Sequence, residues 1–168
     1  FGGDPTRVAL AGDSAGATLS ATACLMARQE GFPQPKFQML WYPATGIEDT
    51  VSRTENADAP LLGASSIAWF MGHYLGGRTE AELDPYAAIG TIEDLTGLAP
   101  AHVVVAGYDP LRDEGAQYAD RLRAAGNQVE FELFDDMVHG FMSFLDLIPR
   151  CADCAAGSFA SLREALHP

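Results

Sequence analysis

Basic charge is scarce in this chain: 10 Lys+Arg stand against 23 Asp+Glu, a formal net charge of −13. Phosphate binding needs a clustered basic face, and these few basic residues are scattered, so nucleic acid is excluded as a partner. Long apolar runs are missing as well, and none approaches the roughly 20 residues that would cross a bilayer. Cysteine is sparse. Cys24, Cys151 and Cys154 are too few, and odd in number, for a disulfide framework. The "CADC" pair has C-x-x-C spacing, but no second pair completes a zinc site, and it does not sit at the strand-to-helix turn of a redox pair. Two free thiols near the start of a terminal helix are expected instead. No signal peptide is visible, which makes a cytoplasmic location the expectation. The chain opens on Phe1 and not on Met, so its true N-terminus is expected to lie upstream.

What is present is enough for a core: 48% of the 168 residues are hydrophobic, and one domain is expected at this length. Four apolar, β-favouring runs stand out at 7–12, 36–42, 101–107 and 128–134. Helical patterns follow them. Residues 15–30 are small and apolar and stop at Gly31 and Pro33, residues 111–125 place Leu111, Tyr118 and Leu122 at helical spacing, and 150–166 reads as a last amphipathic helix. Strands alternating with helices imply right-handed βαβ units and an open parallel sheet of about four strands. The stretch 45–100 breaks the alternation. It reads as a long, loop-rich excursion between the second and third strands, with one helix near Ser65–Tyr74.

The sharpest chemical signal is "GDSAG", residues 12–16, after the first strand and before the first helix. G-x-S-x-G puts a serine on a tight strand-to-helix turn, with glycines where side chains would clash and a helix N-terminus behind the hydroxyl. The bland alternative is a small-residue turn in which Ser14 caps the helix. A serine nucleophile needs a base, usually a histidine held by a carboxylate. Of the four histidines, His73 falls in the excursion helix, His102 at a strand start and His167 at the C-terminus. His139 alone follows a predicted parallel strand, where an open α/β sheet places its chemistry. Asp109 holds the matching position after the third strand. Preceding Pro110, it is pushed out of helical geometry, with Pro110 expected at the first helical position and Asp113 and Glu114 in the first turn. Asp109 could equally be an N-cap, and Asp135 and Asp136 are second choices because they lie so near His139 in sequence. Three weak placements on one sheet edge, in the order Ser, Asp, His, reinforce one another.

"GDSAGA", "DPLRDEG" and "HGF" resemble, in order and separation, the motifs of the bacterial hormone-sensitive-lipase-like family of α/β-hydrolases. "YPATG", "WFMGHYLGG" and the run into "AHVVVAG" extend the similarity over essentially the whole chain. The resemblance implies a three-layer α/β-hydrolase sheet of which only the C-terminal half is here, a single partial catalytic domain over 1–168. It implies Ser14 as nucleophile, Asp109 as orienting acid, His139 as base and the Ala15 N–H as an oxyanion donor. It further implies a carboxylesterase acting on small short- to medium-chain acyl esters without cofactor or metal. Three departures accompany it. Ala17 stands where glycine usually follows the serine motif, and Asp136 stands where glycine often precedes the histidine motif. The His-Gly-Gly-Gly oxyanion loop, half the sheet and a helical cap are missing, and Gly2-Gly3, only about ten residues from Ser14, belong to the turn entering the first strand.

Those absences shape the expectation. One edge of the first strand is left unpaired, a surface on which a second copy could associate. The triad is complete, but the chain alone is expected to be a poor esterase, because an oxyanion donor and the pocket roof are lacking. Two other readings stay open: a non-catalytic small-molecule receptor on the same fold, and a half-domain that pairs through its open edge. Amide or peptide substrates also fit the same triad.

Overall fold

The structure, a computed structural model, describes residues 2–46, 50–78 and 84–167. Four strands, β1 (Ala9–Asp13), β2 (Phe37–Trp41), β3 (Ala101–Tyr108) and β4 (Val129–Val138), are all parallel and lie in the order β1-β2-β3-β4. Helix α1 (Ala15–Gln29) links β1 to β2, α4 (Arg112–Ala124) links β3 to β4, and α5 (Pro149–Leu166) closes the chain. The long connection between β2 and β3 carries α2 (Val51–Glu55), α3 (Ala64–Leu75) and a 3-10 stretch at Pro85–Thr91.

Side-chain alternation along β3 sorts the layers, since successive residues of a strand face opposite sides of the sheet. Ala101, Val103 and Val105 pack with Ala17, Ala21 and Leu25 of α1 and with Tyr118, Ala119 and Leu122 of α4. Val104 and Ala106 face the other way, into Tyr42, Phe134, Phe141, Cys151 and Cys154 beneath α5. β3 is buried on both faces from Ala101 to Ala106, as a continuous apolar run in a parallel sheet requires. The expected three-layer open sheet of four parallel strands is therefore what the chain forms. Helix α3 is peripheral, with no buried residue. Among the described residues no helix is long and apolar enough to cross a membrane.

Cys151 and Cys154 lie in the first turns of α5, and they and Cys24 are free and buried. Burial pushes the thiols of Cys24 and Cys154 up to about 12 and that of Cys151 upward as well.

Element bounds differ most from the sequence reading at β4. The strand was expected to stop at 134 but runs on to Val138, so Asp135 and Asp136 lie in it and do not flank it. The ladder with β3 breaks after Ala106↔Phe134 and resumes at Tyr108↔Val138, with three residues of β4 opposite the single Gly107. This irregularity leaves both aspartates exposed and lets an acidic segment remain in the sheet.

Candidate active site

Each of the three candidate residues leaves the carboxyl end of a different strand. β1 ends at Asp13 and the chain turns at once into α1, so Ser14 takes a left-handed conformation, φ 50° and ψ −121°. Its N–H still donates to the Trp41 carbonyl at 2.8 Å, which fixes the turn to the end of β2. Gly12 is obligatory: a Cβ there would lie 2.3 Å from the carbonyl carbon and oxygen of Gly16. Gly16 is less constrained than the motif implies, since its own added Cβ would meet only Asp13 Oδ1, at 3.9 Å. The crowding is therefore relieved by Gly12 approaching the helix backbone. Ser14 makes no side-chain cap to α1, so its hydroxyl is not spent on the helix.

Asp109 follows β3 and is fully buried. Its Oδ1 accepts the Leu111 N–H at 2.8 Å, closing a turn that contains Pro110. That turn delays the helix. α4 begins at Arg112 and not at Pro110 as expected, while Asp113 and Glu114 still occupy its first turn. Asp109 accordingly does not serve as the N-cap, a position held by Leu111. The free oxygen, Oδ2, lies 2.7 Å from His139 Nδ1.

His139 is the residue after β4 and is 8% exposed. Its Nε2 lies 2.9 Å from Ser14 Oγ. The Asp136 departure does not displace it, because Asp136 points outward to Arg150 at 3.3 Å. The other histidines lie elsewhere. His73 meets Trp69 edge-on, His102 is buried in β3 beside Glu132, and His167 meets Arg7. With Nδ1 tied to a carboxylate, the imidazole holds its proton there and offers Nε2 as acceptor to the serine hydroxyl. Such a chain can take a proton from Oγ as it attacks an electrophile and stabilise the resulting imidazolium. Ala15 is the first residue of α1 and is exposed, so its N–H has no intrahelical acceptor and is free for an anion.

Residues 1–143 match the sequence model of a family described as alpha/beta hydrolase fold. The chain belongs to the α/β-hydrolase-fold family. The family match and the carboxylesterase relatives together place the chain in its hormone-sensitive-lipase-like branch. The carboxylesterase NlhH of Mycobacterium tuberculosis is 43% identical, over 99% of this chain and 53% of that protein. A solved bacterial heroin esterase superposes with a TM-score of 0.92 at 35% identity, covering 98% of this chain and 53% of that one. A hyperthermophilic esterase from the archaeon Pyrobaculum calidifontis gives 0.90 at 36% identity, over 97% of this chain and 54% of that one. The α/β-hydrolase chain thus spans about half the length of these relatives.

One part of the candidate site in this α/β-hydrolase-fold chain has no sequence signal: the polar seam between α2 and the turn that carries Asp109. The Ser52 hydroxyl donates to the Pro110 carbonyl at 2.9 Å, the Ser52 N–H donates to Asp113, and the Asn56 amide donates to the Asp109 carbonyl at 3.3 Å. Arg53 pairs at 2.9 Å with Glu114, which is fully buried and also accepts the Thr45 N–H. From the sequence, Glu114 has a bland role as a first-turn acid complementing the helix dipole. Its burial could not be read there, because the partner lies 61 residues upstream in an irregular segment.

Burial pushes the Glu114 carboxyl up to about 7 from an ordinary 4.5, although the Arg53 guanidinium pulls it down. The folded state therefore binds this proton more tightly than the unfolded chain. Its stabilising effect is fully present below about 4.5 and is lost as pH rises towards 7. Glu114→Gln removes that dependence. Its stability relative to the parent is expected to rise by roughly 2 kcal/mol between pH 5 and pH 8, read from urea midpoints. A constant difference across that window would show that Glu114 is ionised throughout.

Proposed function

We propose that this chain carries the reacting residues of a serine carboxylesterase that hydrolyses short- to medium-chain acyl esters through an acyl-enzyme. The observation that carries the reading is the unbroken relay, 2.9 Å from Ser14 Oγ to His139 Nε2 and 2.7 Å from Nδ1 to Asp109 Oδ2. NlhH and the two solved relatives bear the names of ester hydrolases, which favours esters over amides as the substrate class.

In this mechanism Ser14 Oγ bonds to the ester carbonyl carbon while its proton passes to His139 Nε2. Asp109 offsets the imidazolium charge, and the carbonyl oxygen, now anionic, accepts from the Ala15 N–H. The intermediate collapses by breaking the bond to the alcohol oxygen, which leaves with the Nε2 proton. Water then repeats the sequence on the acyl-enzyme: Nε2 takes its proton, the acid departs, and the proton returns to Oγ.

Only one oxyanion donor, the Ala15 N–H, is identified among the described residues, and loss of such a donor typically costs about 10²- to 10³-fold in kcat. These 168 residues tested by themselves are therefore expected to be labelled at Ser14 by a fluorophosphonate, yet to turn over p-nitrophenyl esters slowly. Ser14→Ala is expected to abolish both. Full-rate turnover by this chain, lost in Ser14→Ala, would refute the impairment and leave the esterase reading standing. Tight ester binding without labelling at Ser14 would replace it with a non-catalytic receptor.

A further inference from the structure

Tyr42 follows β2 in the place that Ser14 holds after β1, since Asp13 and Trp41 are register partners. Like Ser14 it is left-handed, with φ 40°. For a bulky side chain this is a strained conformation, of the kind that persists only where the surroundings over-determine it. The strain has a visible effect. By strand alternation Tyr42 would share the face of Leu40, which packs with α1 and α4. The left-handed turn sends it across the sheet, into the core beneath α5.

There its ring meets His139 edge-on, with centroids 4.8 Å apart and planes at 61°, and lies 5.6 Å from Phe141. Its N–H donates to the Val104 carbonyl. Tyr42 is 1% exposed. Hydrogen bonds to Asp109 and from Ser14 hold the two nitrogens of the imidazole in its plane and leave the faces of the ring to packing. The Tyr42 ring packs against the imidazole itself.

We infer that Tyr42 is a positioning residue, whose ring, carried across the sheet by its left-handed backbone, holds the His139 imidazole in line between Asp109 and Ser14. This rests on the relay being the reacting one. The test therefore includes a readout that needs no turnover, the downfield Nδ1 proton of His139 in the NMR spectrum of the 168-residue chain.

Tyr42→Phe keeps the ring and is expected to keep the signal and a rate of Ser14 phosphonylation within about threefold of the parent. Tyr42→Leu removes the ring, and Tyr42→Gly removes both ring and strain. In each, the signal is expected to broaden or vanish and phosphonylation to slow by about 10- to 100-fold, the scale of a misplaced catalytic group. A sharp signal in either folded ring-less variant would overturn the inference, as would its absence from the folded parent. Failure of both ring-less variants to fold would also overturn it, making Tyr42 a core residue only. An intact NMR pattern with no phosphonylation of the parent would instead sink the esterase reading.

Discussion

Asp109→Asn is expected to slow phosphonylation of Ser14 by about 10⁴-fold while leaving the fold intact. The effect follows from the two oxygens having different partners. Oδ1 accepts the Leu111 N–H at 2.8 Å, and an amide at this position must offer its own oxygen there. The NH₂ group is then forced towards His139 Nδ1, where Oδ2 now sits at 2.7 Å. A donor facing Nδ1 requires Nδ1 to be the acceptor, so the imidazole proton moves to Nε2. The nitrogen that should receive the serine proton is then already protonated. Distances barely change while the chemistry is blocked, and circular dichroism and urea midpoints should stay close to the parent. A loss of less than about tenfold would mean that the carboxylate does not set the tautomer, and that the relay is not the reacting group.

Gly107→Ala is expected to act on both stability and site geometry. A Cβ at Gly107 would lie 2.0 Å from the Asp135 carbonyl oxygen and 2.6 Å from its carbon, and both of these are backbone atoms. No side chain can rotate away to make room, so the sheet has to part between β3 and β4. These two strands carry Asp109, two residues beyond Gly107, and His139, four beyond Asp135. Unfolding in urea should show a loss of about 3 kcal/mol or more, at the upper end of what overpacking costs. In the population that remains folded, the Nδ1 proton signal of His139 should be lost. A stable variant with that signal unchanged would mean that the irregularity between the two strands absorbs a methyl group.

Much of this site could be read from residue order alone. Gly12 and Ser14 announced the turn because few residue types tolerate it, with Gly16 completing the motif where a side chain would have had room, and the spacing of Asp109 and His139 after apolar runs located the other two groups. Legibility failed where a long-range ladder or a distant partner decided the conformation. Asp135 and Asp136 read as the end of a strand because acidic residues disfavour sheets locally, yet the ladder resumes beyond them, where Val138 pairs with Tyr108, so the strand runs on through both. Pro110 read as a helix start, but the side chain of Asp109 captures the Leu111 N–H first and delays the helix to Arg112. Helix α2 is only five residues long, too short for periodicity to show, and it is held by Pro110, Asp113 and Glu114 across the excursion. Tyr42 is the clearest case. Its motif could be seen, but the side of the sheet it occupies depends on one backbone angle that no pattern of apolar residues encodes.

The burial of all three cysteines has a practical consequence for anyone wishing to watch this molecule move. Cys24, Cys151 and Cys154 are hidden, and burial holds each thiol further from its reactive thiolate form. The native chain is therefore close to silent towards maleimides and similar dyes. A single cysteine introduced on an exposed face, for instance at Leu19 of α1, would be a unique handle for a fluorophore or spin label. The native thiols could stay in place, and no core position would have to be sacrificed to make the background clean.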